Sequence, residues 1–364
     1  KRIIESNSSF GHDLTARGCI SEVIDMKEKK EARFYEKTEG GAVNCNLCPW
    51  NCRISEGERG VCEVRENNDG KLYSLSYDNL SSSSLDPIEK KPLFNFAPGT
   101  KTYSICTPGC NWKCKYCQNW QLSQGSIRGR SVEPREIVEA AKKSGARGIS
   151  YTYTEPTIFY ELAYDTARIA KEEGLYNTFV TNGYINPEPI REIGPYLDAV
   201  TVDFKGSGDE EFLKDFAGVK SVDPIYKAIK EYRDQGVHVE ITDLIVPKVG
   251  DSEAKIKQLV DWIVENLGQE TPVHFLRFYP AHEVQDLPPT DVGKLETARD
   301  IAESAGLNYV YLGNVRKENH TTCPSCGNRV VRRSAGRVLE LDLSDGECSK
   351  CGTRIGISGL EWVQ

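Results

Sequence analysis

The sequence predicts an α/β fold, a partial or full (β/α) barrel with a small cysteine-rich metal-binding appendage at each end. Three observations predict it. From residue 100 onward, short β-branched or apolar runs alternate with helical patterns, which implies parallel strands joined by right-handed crossovers. Twelve of the 13 cysteines fall into three groups of four, leaving Cys19 alone. At 364 residues the chain exceeds what one hydrophobic core usually holds, so a large domain with small additions is expected.

The candidate strands are 101–107, 147–153, 177–182, 198–205, 237–246, 273–278 and 307–313. Helical patterns lie between them. Residues 132–144 follow Ser131 as an N-cap, carry Pro134 in the first turn and stop before Gly145. Residues 157–173 end at Gly174, and 252–266 end just before Gly268. In such barrels working residues sit at the C-terminal ends of strands. Polar residues gather there: Cys110 after the first strand, Glu155 after the second, Thr181 and Asn182 at the third, Asp203 and Lys205 at the fourth.

The expected organisation has four parts. Residues 1–26 read as an N-terminal extension, because Met26, the single methionine, opens a segment that looks like a natural start. Residues 27–99 form an N-terminal four-cysteine segment ending in a Ser/Pro-rich stretch, 100–319 the barrel, and 320–364 a C-terminal zinc ribbon.

A formal charge of −8 argues against a broad nucleic-acid surface. The densest basic stretch, Arg329, Arg332, Arg333 and Arg337, reads as a solvated face. No apolar run is long enough to span a membrane and no secretory leader is evident, so a cytoplasmic protein is expected. In that reducing setting the cysteines are metal ligands rather than disulfides.

Cys110, Cys114 and Cys117 form C-x3-C-x2-C on one short loop. Three thiolates so spaced ligate three irons of a [4Fe–4S] cubane and leave the fourth iron open. The competing reading is a tetrahedral zinc site completed by Cys106, but Cys106 reads better as a small buried hydrophobe. Cys323, Cys326, Cys348 and Cys351 form two C-x2-C knuckles, the pattern of a zinc ribbon. Cys45, Cys48, Cys52 and Cys62 suit zinc or a second iron–sulfur cluster, with structural zinc preferred. A zinc-dependent binding module acting through the two cysteine-rich ends is the rival function. His274 and Arg277, on a late strand, are candidates for a proton donor or an anion clamp facing substrate.

The string CNWKCKYCQNWQLS, followed by YTYTEPT, FVTNGY, VDFKG and HFLRFYP, resembles the AmmeMemoRadiSam-system enzymes of the radical S-adenosylmethionine (SAM) superfamily. That branch is related to pyruvate formate-lyase activating enzymes, and the resemblance runs from about residue 27 to the C-terminal cysteines. It implies that SAM fills the open iron and is cleaved to a 5′-deoxyadenosyl radical, which takes hydrogen from an undefined substrate. Tyr116 lies beside the last ligand. Glu155 matches the end of a Gly-Gly-Glu strand that holds the SAM amino group, although the glycines are absent here. Thr181, Asn182 and Gly183 match a Thr-Asn-Gly strand end that meets SAM. Asp203 and Lys205 match an Asp-x-Lys end whose lysine pairs with the SAM carboxylate. The resemblance also implies an electron donor such as ferredoxin or flavodoxin, and AMMECR-like and Memo-like partner proteins. Activation of a glycyl radical enzyme is one alternative it leaves, and a scaffold without catalysis is another.

Overall fold

The computed structural model describes residues 29–363, so Met26 and the 1–26 extension lie outside the described residues. All seven expected strands form. With one strand ahead of them they are β1 (Ser82–Pro87), β2 (Lys101–Cys106), β3 (Gly148–Tyr151), β4 (Tyr176–Thr181), β5 (Ala199–Lys205), β6 (His238–Ile245), β7 (Val273–Arg277) and β8 (Val310–Gly313). They hydrogen-bond in sequence order, and β2 through β8 are parallel throughout. The two end strands do not pair with each other, so of the two barrel alternatives the open, partial one forms.

β1 comes from the Ser/Pro-rich stretch expected to close the N-terminal segment. It runs antiparallel to β2, with Ser82 opposite Cys106 and Pro87 opposite Lys101. Its side chains alternate in burial, and Pro87 ends it at the sheet edge, where a missing N–H costs no ladder bond.

Six longer helices cover the sheet: α1 (Pro134–Lys143), α2 (Tyr160–Glu172), α3 (Pro187–Ile193), α4 (Asp223–Asp234), α5 (Glu253–Leu267) and α6 (Val292–Ser304). The cap of α1 is Glu133 rather than Ser131. Pro134 takes the first helical position, and Glu133 and Glu136 form a reciprocal capping box. Ser131 instead donates to Asp78.

The segment between β1 and β2 enters the N-terminal half of the barrel and fills it. Ile88, Leu93, Phe94 and Phe96 are buried there, and the backbone N–H groups of Phe94 and Asn95 donate to Glu240 at 3.1 and 2.7 Å. Above this plug a hydroxyl ladder, Thr102–Ser150–Thr178 at 2.7 and 2.6 Å, satisfies small polar side chains on the inner face.

The N-terminal segment does not form a core of its own. Val43, Leu47, Ile54, Val64 and Leu72 belong to the same continuous core as the barrel. The C-terminal segment differs: Val330, Val331, Ile355 and Ile357 pack with Phe94, Tyr309 and Tyr311 in a separate small cluster against the plug. No helix among the described residues is long and apolar enough to cross a membrane.

Candidate active site

β2 ends at Cys106, and the chain turns into the loop that carries Cys110, Cys114 and Cys117. The turn needs Gly109, whose φ is +99° and whose Cβ would come within 2.8 Å of Val64 and 3.0 Å of the Cys62 carbonyl. The loop is docked by its backbone: Lys113 and Lys115 donate to Ala217 and Phe216, and Glu283 donates to Lys115. Tyr116 is buried, with its ring stacked on Phe212 at 5.7 Å. This packing presents the three thiols to a cavity inside the C-terminal end of the barrel. Lys90 and Lys91, which follow β1, and Asn314, which follows β8, line the same cavity, so the sheet wraps around it.

The strand ends supply the polar wall. Glu155 is buried, and its carboxylate accepts from the backbone N–H and hydroxyl of Thr157 (3.0 and 2.6 Å), from the Thr181 hydroxyl (2.6 Å) and from the Asn182 N–H (2.8 Å). Burial raises its pKa, opposed by these hydrogen bonds. It therefore caps the helical turn Pro156–Phe159 and faces the cavity at once. The Asn182 side chain donates to Asn111 at 2.8 Å, and Asn111 donates to the Tyr184 carbonyl, which ties the cysteine loop to the end of β4.

Lys205 pairs with Asp203 at 3.0 Å, and Asp203 also accepts from Thr242. Burial pulls the Lys205 pKa down, but Asp203 and the nearby thiols Cys114 and Cys117 more than offset it, so the ammonium is retained. Burial pushes the Cys110 and Cys114 thiols up, Cys114 to about 12. Ligation must therefore displace protons.

Cys110, Cys114, Cys117, Tyr116, Glu155, Thr181, Asn182, Asp203 and Lys205 all line this one cavity. Gly183 does not. At φ +70°, with Ile225 and Val202 each 2.9 Å from a built Cβ, it makes the turn after β4. Cys106 is wholly buried and outside the cavity, as its small-hydrophobe reading expects.

Neither candidate substrate residue lines the cavity. His274 shares a strand face with Leu276, which does, but lies one layer deeper, where its Nε2 pairs with Glu240 at 2.6 Å and its ring packs against Phe94 of the plug. Arg277 stands on the opposite face; its Nε donates to the Thr290 carbonyl at 2.7 Å.

A second polar group is absent from the local sequence pattern. Lys91, 2% exposed, pairs with Asp86 at 2.9 Å, and its ammonium lies 4.3 Å from the Tyr153 ring centre. Tyr153 in turn donates to Asp86. Tyr153 has φ +64°, a conformation glycine adopts without strain, at the strand end where a Gly-Gly-Glu pattern would place one. These residues were missed because the plug, not sequence proximity, brings Lys91 to β3.

The residues fit an iron–sulfur group bearing an open corner. Among the described residues, the compact sets of three or more ligating side chains, with ligand atoms within 4.8 Å of one another, comprise Cys323, Cys326, Cys348 and Cys351 alone. The central trio is more open, as a cubane with separate iron corners requires. Trp112 Nε1, buried at the cavity wall, has no protein acceptor among the described residues and is free for a bound group.

Residues 104–263 match the family model described as the radical SAM superfamily. An uncharacterized protein of Methanocaldococcus jannaschii is 43% identical over 90% of this chain and 99% of its own length. The pyruvate formate-lyase-activating enzyme of Clostridium pasteurianum is 26% identical over 50% of this chain and 76% of its own. A radical SAM methyltransferase structure from Sphaerobacter thermophilus aligns with a TM-score of 0.46 at 18% identity, covering 58% of this chain and 66% of that one.

Proposed function

The chain belongs to the radical SAM superfamily, and from that premise we propose that Cys110, Cys114 and Cys117 hold a [4Fe–4S] cluster at which SAM is reductively cleaved. When bound, the cluster and SAM supply a 5′-deoxyadenosyl radical for hydrogen abstraction from substrate. The single observation that carries this reading is the convergence of three open-spaced thiols, Glu155, Asn182 and Lys205 on one cavity.

The chain's own residues then have distinct tasks. Glu155, anchored by four hydrogen bonds, offers a fixed carboxylate to the SAM ammonium. Lys205, held by Asp203, offers an ammonium to the SAM carboxylate and stabilises the adjacent thiolates. Asn182 and Asn111 hold the ligand loop in register with the strand ends. Leu244, Leu276 and Phe278 give the opposite wall an apolar surface that excludes water. Lys91 and Tyr153, both held by Asp86, line the region left for substrate and take over the role expected of His274 and Arg277.

A low-potential donor such as ferredoxin or flavodoxin supplies the electron. At the C-terminus, Cys323, Cys326, Cys348 and Cys351 hold one zinc ion that folds the ribbon. The similarity to a pyruvate formate-lyase-activating enzyme favours a second reading of the net reaction, formation of a glycyl radical on a protein partner.

Anaerobically reconstituted protein, dithionite and SAM should yield 5′-deoxyadenosine, and Cys114→Ala should yield none. Absence of product from the wild type, with its iron fully loaded, would leave a scaffold or zinc-dependent binding protein.

A further inference from the structure

The two outer cysteine sets differ in a way that their spacing does not show. In the C-terminal set the sulfurs touch: Cys323 and Cys351 are 3.6 Å apart, and Cys326 and Cys348 are 3.7 Å apart. Zn–S bonds of about 2.3 Å hold four thiolates at such contacts, so this set has the dimensions of one tetrahedral ion. Cys45, Cys48, Cys52 and Cys62 are absent from the compact groups among the described residues. Instead they surround an enclosed cavity whose remaining wall includes Leu47, Trp50, Ile54 and Ile158.

We propose that Cys45, Cys48, Cys52 and Cys62 bind a second iron–sulfur cluster of the [4Fe–4S] class, in place of the structural zinc preferred from the sequence. A cubane puts a separate iron at each corner, so its ligands are held apart around a core, whereas one ion draws four sulfurs together. The donor set consists wholly of thiols, as such a cluster takes. Its surroundings are apolar except for Arg65, whose guanidinium donates to Cys45 Sγ at 3.5 Å and brings one positive charge to a site of net negative charge. With all four corners ligated by the protein, no iron is left for SAM.

The site also abuts the radical centre's loop. Trp50, within the set, donates to the Asn111 carbonyl at 2.8 Å. Val64 and the Cys62 carbonyl press on Gly109, one residue before Cys110. A loaded N-terminal site braces the loop from behind.

The test uses the full chain carrying Cys110→Ala, Cys114→Ala and Cys117→Ala, which removes the central cluster and leaves the N-terminal set intact. After anaerobic reconstitution with iron and sulfide, this variant should keep about four irons and four sulfides per chain, half the wild-type content. Its reduced electron paramagnetic resonance signal should not change on adding SAM. A colourless variant with no iron and about two zinc ions per chain overturns the proposal. Retained zinc at the C-terminal ribbon reports that the variant has folded. If it does not fold, Cys48→Ser with Cys52→Ser replaces it: the SAM-insensitive signal and half of the iron should disappear, and unchanged iron overturns the proposal. Formation of 5′-deoxyadenosine by the wild type reports on the central site, so failure of either reading is seen separately.

Discussion

The N-terminal and C-terminal cysteine segments look alike on paper, each offering four thiols to a small piece of chain, yet the molecule treats them in opposite ways. The N-terminal set is embedded in the barrel's own core, and burial pushes the Cys48, Cys52 and Cys62 thiols up, Cys62 to about 11. The C-terminal set belongs to a separate small cluster, with Cys323 and Cys348 buried in it and Cys351 exposed at its edge, where hydrogen bonding with Thr353 brings Cys351 down to about 6. Each segment is fastened by a buried arginine. Arg65 pairs with Glu161 of α2. Arg333 donates to the Phe94 carbonyl at 2.6 Å and lies 3.6 Å from Glu89 of the plug. The difference teaches that a four-cysteine motif is either part of the catalytic body or an attachment to it, according to which core it joins.

The largest effect that tests this comparison is metal removal. A strong zinc chelator should unfold the ribbon alone, since a structural zinc site contributes about 10–16 kcal/mol to its own fold. Zinc release should be complete while 5′-deoxyadenosine formation continues; coincident loss of activity would break the comparison.

Next come the two clamps. Arg65→Ala strands Glu161 in the interior and should cost about 3–5 kcal/mol, seen as a lower midpoint for the main thermal transition. Arg333→Ala should shift a separate ribbon transition and leave the main one in place. If both variants shift the same transition, the ribbon is as integral as the N-terminal segment.

Acid should also discriminate. Burial pushes the Glu240 carboxyl up, but hydrogen bonds with His238 and His274 more than offset this and hold it at about 2 against an ordinary 4.5. A depressed folded pKa stabilises at pH above 4.5 and loses that contribution as pH falls toward 2, on the order of 3 kcal/mol in all. Glu240 anchors the plug on which the ribbon rests, so thermal melts between pH 5 and 2 should show the ribbon loosening first. Glu240→Gln should flatten that dependence.

The smallest effect sharpens the link between the N-terminal segment and the loop of Cys110, Cys114 and Cys117. Trp50→Phe keeps the ring and deletes the bond to Asn111, at a cost of about 1 kcal/mol. A reduced rate of SAM cleavage at full iron loading would show that the brace acts on the ligand loop.

Much of this was legible in the chain. The alternation of strand and helix is a local pattern, and every predicted parallel strand formed close to its expected limits. Strand-end residues were legible for the same reason: Glu155, Asn182 and Lys205 follow apolar runs, and a parallel barrel must collect such positions at one end. β1 was hidden because serines read as a loop until a neighbouring strand pairs with them.

By itself the sequence determined the parallel barrel, the open trio of thiols and the carboxylate and lysine that face them, because each follows from spacing along the chain. Only the tertiary structure decided that His274 packs against the plug, that Lys91 meets Asp86 and Tyr153, and that one cysteine quartet surrounds a cavity while the other closes on itself. Depth within a barrel and distance between sulfurs on separate turns are set by packing between distant segments, which no local spacing encodes.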